Sequence, residues 1–137
     1  MASENGKYVS IDNASNADVT NATYTDWGSN ATVDVPSWAT KARLVVSLTN
    51  ISGVSAVAVS NIRTVIGSNT GKEIRHVSNT DAHSQPLTYS DEIILSATGT
   101  QIIKLQAKRD SGGGALRANG GGVLLGANFS FFIVFLP

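Results

Sequence analysis

The closing segment Phe129-Ser130-Phe131-Phe132-Ile133-Val134-Phe135-Leu136 constrains this chain more than any other stretch. Side chains alternate between the two faces of a strand, so Phe129, Phe131, Ile133 and Phe135 share one side while Phe132, Val134 and Leu136 share the other. Both sides are apolar. An outer strand of a sandwich alternates apolar with polar residues, so this one is either central and covered on both sides or covered by another subunit. Helical periodicity is hard to find elsewhere, which leaves no helices as cover and favours the subunit. Phe129, Phe131, Phe132, Ile133, Val134 and Phe135 are therefore the candidate self-association residues. The segment is about half the length that a helix needs to span a bilayer, and no membrane anchor is expected.

The remaining chain has the same β character. Ala42, Leu44, Val46 and Leu48 alternate with Arg43, Val45, Ser47 and Thr49, giving a strand with one apolar and one mostly polar face. Ile103, Leu105 and Ala107 alternate likewise with Lys104, Gln106 and Lys108. Asp91-Glu92 lead into Ile93-Ile94-Leu95, and Gly99 is expected to join that run to the next as a hairpin. Further strands are expected over 7–11, 18–24, 31–35, 55–66, 72–78, 122–126 and 129–136. Loops are expected at Val35-Pro36-Ser37-Trp38-Ala39, over 80–86, and through the glycine-rich stretch 111–122. About eight to ten strands separated by turns, not helices, predict an all-β antiparallel sandwich of jelly-roll type. The 137 residues suit one domain. It divides into an N-terminal arm over 1–16 and a jelly-roll domain over 17–137.

Charge excludes some function classes. Ten Lys+Arg balance ten Asp+Glu, and charged residues make up 15% of the chain against an average of about 25%. A basic stripe is missing, so nucleic acid is not an expected partner. Weak charge of either sign also weakens the repulsion that keeps proteins monomeric, which favours self-association. The chain has no cysteine. That removes disulfides and thiolate metal sites and suits folding in a reducing cytoplasm. Met1-Ala2-Ser3-Glu4-Asn5-Gly6 has neither the basic nor the apolar region of a signal peptide, so synthesis in the cytoplasm is expected.

Catalytic and ligand motifs are sparse. Only His76 and His83 can serve as an imidazole base, and Asp81 is the carboxylate near His83. Metal sites normally show denser ligand spacing, so no enzyme, metal or cofactor is expected. Gly67-Ser68-Asn69-Thr70-Gly71-Lys72-Glu73 has three residues between its glycines and Glu73 after the lysine, so it reads as a turn and not a phosphate loop. Five Asn-X-Ser/Thr matches, at Asn13, Asn21, Asn30, Asn50 and Asn128, are attributed to an Asn/Ser/Thr-rich composition. Trp27, Trp38, Tyr24 and Tyr89, with the 80–86 loop, form the candidate ligand-facing set of an alternative carbohydrate-binding reading. Core packing of these aromatics is preferred over sugar stacking.

Val33-Asp34-Val35-Pro36-Ser37-Trp38-Ala39-Thr40-Lys41-Ala42-Arg43-Leu44, followed by Val65-Ile66-Gly67-Ser68-Asn69-Thr70-Gly71, resembles jelly-roll domains of tailed-bacteriophage structural proteins. In those domains a strand ends at a proline corner, a basic residue opens the next strand, and a later Ile/Leu-Gly turn carries a second glycine. The resemblance covers about a third of the chain. Such domains form tail-fibre tips and small capsid cement or decoration proteins. The closing aromatic strand is also similar to that of trimeric jelly rolls of the tumour-necrosis-factor and C1q type. A tail-fibre tip would follow a fibrous shaft, whereas this chain opens on Met1 without one, so the resemblance implies a cement protein. The expected partners are the major capsid protein and the chain itself as a homodimer or homotrimer. The expected location is the capsid exterior of a virion. A tail-fibre receptor-binding or carbohydrate-binding domain is the alternative.

Overall fold

Alternation builds the strand β4 (Lys41–Val54) as predicted: Ala42, Leu44, Val46 and Leu48 are buried, whereas Arg43 and Val45 face outward. β9 (Gly99–Gly112) follows the same rule, with Ile103, Leu105 and Ala107 inside. The computed structural model describes residues 6–13, 18–54, 57–78, 85–112, 114–117 and 127–137. The other strands are β1 (Gly6–Asn13), β2 (Asp18–Val19), β3 (Thr25–Val35), β5 (Ala58–Ile66), β6 (Asn69–Thr70), β7 (Ile74–Ser78), β8 (Gln85–Ile94), β10 (Ala115–Arg117) and β11 (Ala127–Leu136). Every pairing among them is antiparallel, and the described residues contain no helix. The fold is an all-β sandwich.

One sheet runs β1-β11-β4-β10-β2, with β8 on β4; the other runs β3-β9-β5-β6, with β7 on β5. β11 therefore sits between β1 and β4, hydrogen-bonded on both edges. The inward faces of the two sheets meet in one core that holds Phe129, Phe131, Ile133 and Phe135 against Leu44, Leu48, Ile62, Ile103 and Leu105. Full burial of each phenylalanine contributes about 1.5–3 kcal/mol, so this one strand is a large part of the driving force. Trp27 packs its ring 5.0 Å from that of Phe129, tilted by 47°, and ties β3 to β11 across the core.

Several expectations change. Within the arm expected over 1–16, residues 6–13 form β1, which pairs along its length with β11 and buries Ile11. The hairpin expected at Gly99 does not form. β8 pairs with β4 in one sheet and β9 with β3 and β5 in the other, so this connection crosses between sheets. Gly99, at φ 78°, opens β9 opposite Val35. Of the strand expected over 18–24 only β2 (Asp18–Val19) forms, while β3 begins at Thr25, ahead of the strand expected over 31–35, and runs through Gly28-Ser29-Asn30, absorbing a register shift between Trp27 and Ala31 with Gly28 at φ 75°. Ala115–Arg117, expected in a loop, forms β10 and buries Leu116. The strand expected over 122–126 lies outside the described residues. Gly67-Ser68 does make the expected turn, as the two residues between paired Ile66 and Asn69.

Candidate functional site

The pleat that buries one side of β1, β11, β4 and β8 aligns their opposite side chains in rows across the outer face. Tyr8, Phe132, Val45 and Ser90 make one row. On one side lies the hydroxyl row Ser10, Ser130, Ser47 and Thr88. On the other side come Gly6, Val134, Arg43 and Glu92, then Leu136, Lys41 and Ile94. Tyr8, Phe132, Val45 and Ile94 are 68%, 49%, 45% and 63% exposed, and Val134 and Leu136 are half-buried. Tyr8, Phe132, Val45, Val134 and Leu136 thus form a cross, with one arm along the Tyr8 row and the other down β11, while Ile94 stands apart from it beyond Lys41.

Polar groups frame this patch and hold it. Tyr8 donates its hydroxyl to Ser130 Oγ at 3.2 Å, Ser130 donates to Asn128 Oδ1 at 2.6 Å, and Asn128 Nδ2 donates to Ser10 Oγ at 2.8 Å. Thr88 donates to Ser47 Oγ at 3.4 Å. Arg43 and Glu92 pair at 3.3 Å on the opposite border, both well exposed. Such an ion pair adds little stability, but it supplies both signs of charge beside the patch.

The six self-association candidates separate into two groups. Phe129, Phe131, Ile133 and Phe135 lie in the core of their own sandwich, so their side chains are not available to a partner. Phe132 is exposed and Val134 half-buried on the outer face. The opposing sheet, not a subunit, covers the first group. Tyr8, Val45 and Ile94 join the patch without having been singled out. Each is an apolar residue at an outward position of a strand whose other outward positions are mainly polar, and that is their signal in the sequence.

The aromatic ligand-facing set does not assemble. Trp27 is buried against Phe129, since its register opposite inward-facing Leu105 puts its ring on the core side of β3. Tyr89 is buried on the inner face of β8, where its hydroxyl meets Thr64 Oγ1 at 3.0 Å. Burial pushes the Tyr89 phenol up to about 12. Trp38 is exposed and Tyr24 half-buried. Tyr24 lies on the outer face of the second sheet, with Arg63 3.8 Å and Lys108 4.9 Å above its ring. Burial, followed by the neighbouring Glu73 carboxylate, pushes its phenol up to about 12. The 80–86 loop is described only from Gln85.

That second outer face is charged. Gln106 on β9 accepts from Arg63 on β5 at 2.8 Å and donates to Asp26 on β3 at 3.0 Å. Lys104 pairs with Asp26 at 2.9 Å, and Arg75 with Asp110. Gln106, then Lys104, hold the Asp26 carboxyl below its usual range.

Asp91 is a buried carboxylate on β8. Lys72 N donates to it at 3.1 Å and Glu92 N at 2.8 Å, and Gly71 lies so close that a Cβ there would stand 1.8 Å from Oδ2. Its bonds go to backbone, so it clamps the β6–β7 connection against β8. An open cleft of about 430 Å³ beside it is lined by Arg43, Lys72, Ser90, Asp91 and Glu92. Ser60 and His76 stand opposite each other in the β5–β7 register, and Ser60 Oγ and His76 Nε2 are both buried without a hydrogen-bond partner. Burial lowers the His76 pKa. A nucleophile and its base need a shared hydrogen bond, which this pair lacks. Asp81 and His83 lie outside the described residues. Among the described residues no group of three or more His, Asp or Glu side chains is placed to hold a metal ion, and no helix is long and apolar enough to cross a membrane. No protein-family model matches the sequence, and no curated protein matches it.

Proposed function

We propose that this chain is a non-enzymatic virion structural protein: a jelly-roll cement or decoration protein that binds the outer surface of an assembled capsid and stabilises the head. The observation that carries the reading is the apolar cross on the outer face of the β1-β11-β4-β8 sheet, centred on Phe132. A protein with its own complete core gains nothing in folding from holding Tyr8, Phe132 and Val45 in water, whereas contiguous exposed apolar surface is what subunit contacts require. The strand order supports the jelly-roll part. β1-β11-β4-β8 faces β3-β9-β5-β7, and the chain changes sheet between β4 and β5, between β7 and β8 and between β8 and β9, as in a double-sheet roll.

The mechanism is linkage. A protein that binds the assembled shell but not free capsid subunits stabilises the shell by about 2.7 kcal/mol per site when its free concentration is a hundred times Kd. Many sites on one head multiply that effect. The carbohydrate-binding alternative loses support from the burial of Trp27 and Tyr89, two of the four aromatics it would use.

The test uses the whole chain and shells of the major capsid protein from the same virion. Co-sedimentation with expanded shells, and a higher temperature of shell disruption when the chain is bound, are the expected results. Failure to co-sediment at tens of micromolar removes the cement role.

A further inference from the structure

We propose that the apolar cross is the interface of a two-fold homodimer, in which the β1-β11-β4-β8 sheets of two copies pack face to face with Phe132 against Phe132. The proposal rests on the virion-protein reading only for its biological setting; its grounds are area, charge and row pattern.

Area comes first. A stable interface buries about 800 Å² per partner, of which roughly 55–65% is apolar. Aromatic side chains present about 150–250 Å² each when fully open. At their exposures Tyr8 and Phe132 alone open roughly 230 Å², about half of the apolar share such an interface needs, and Val45 with the half-buried Val134 and Leu136 adds to it. The surrounding hydroxyl row and the Arg43–Glu92 pair supply a polar rim.

Charge selects this face over the other. Its Arg43 and Glu92 neutralise each other and leave Lys41 as the remaining charge among the described side chains of the face, so a copy meets little like-charge repulsion. Burying the opposite face would desolvate the Lys104–Asp26 and Arg75–Asp110 pairs.

Row pattern selects the axis. A two-fold in the interface plane and parallel to β11 leaves β11 over β11 and lays β1 of one copy over β4 of the other. Tyr8 then meets Val45, Phe132 meets Phe132, and the hydroxyl row meets the hydroxyl row. An axis along the Tyr8 row would instead lay the hydroxyl row on the Val134 and Arg43 row.

Sedimentation velocity on the full chain reads the mass, and a monomer is 14.3 kDa. A dimer is expected. Phe132→Lys and Val45→Lys should each weaken dimerisation at least tenfold with unchanged circular dichroism, while Ile102→Lys, on the charged face, should leave it intact. Because the chain has no cysteine, single cysteines report the axis. Packed sheets lie about 10 Å apart, so a short bismaleimide should cross-link Phe132→Cys into dimers. Ile94→Cys, on β8 two strands away, should not cross-link, since its copies lie roughly 20 Å apart. A monomeric wild type, a trimer, a dimer that survives Phe132→Lys, or cross-linking at Ile94→Cys alone each overturns the proposal. A dimer that fails to bind shells refutes the cement role and leaves the dimer standing. A monomer that binds shells and loses them on Phe132→Lys refutes the dimer and leaves the cement role.

Discussion

Polar groups inside this sandwich are few, and Tyr89 shows what such a group costs when its partner is removed. Its hydroxyl and that of Thr64 are each other's hydrogen-bond partners in the core. Tyr89→Phe strands Thr64 Oγ1 in an apolar site, at a cost of about 1–3 kcal/mol. Thr64→Val on that background removes the stranded group, so the double variant should recover much of the loss in urea unfolding. A full additive loss would show that the bond contributes nothing beyond packing. The same residue has a pH signature. Burial raises its folded pKa from 10.0 to about 12, so the folded state favours the protonated phenol. Its contribution is complete below pH 10 and is lost as pH rises through about 12. Tyr24, raised likewise, adds to that alkaline decline, and Tyr89→Phe should leave only the Tyr24 part.

β11 joins residue chemistry to architecture because its two faces have separate fates. Phe131 fills the core and Phe132, the next residue, is half exposed. Phe131→Ala should cost about 3–5 kcal/mol through the cavity it leaves, whereas Phe132→Ala should change monomer stability by less than about 1 kcal/mol. Unfolding of the two variants at a concentration that keeps both monomeric checks this, and equal losses would mean that both faces are covered within one chain. The contrast also shows where sequence reading stops. Alternation in β4 and β9 identifies both the strand and its inner face, because only one face is apolar. In β11 Phe132, Val134 and Leu136 make the outer face apolar as well, so the strand is legible but its inner face is marked only by Asn128 and Ser130 at the start of the outer one, a weaker signal than the register with β1 and β4. The connection at Gly99 fails for a related reason. A positive φ marks a turn, but a turn within a sheet and a crossing between sheets have the same local chemistry. Trp27 and Tyr89 are polar-tipped aromatics near turn residues, and their burial follows from their registers, Trp27 opposite Leu105 and Tyr89 opposite Val46, which only the long-range pairing sets.

The whole molecule has two unlike outer faces, and their difference makes association testable without mutation. One face offers Tyr8, Phe132, Val45 and Ile94 with Lys41 and one ion pair beside them; the other offers Asp26, Lys104, Arg63, Lys108, Arg75 and Asp110 in a charged lattice. Salt acts on them in opposite senses. Exposed ion pairs are screened as the Debye length falls from about 10 Å at 0.1 M to about 3 Å at 1 M. Apolar contact persists, and sulfate strengthens it by exclusion from protein surface. Association through the Phe132 face should therefore hold its affinity from 0.1 to 1 M NaCl and tighten in ammonium sulfate, as read by sedimentation velocity across a dilution series. Association through the charged face would weaken by an order of magnitude or more over the same NaCl range. Dissociation on adding NaCl would thus move the interface to the β3-β9-β5 side and leave the apolar cross free for a capsid subunit.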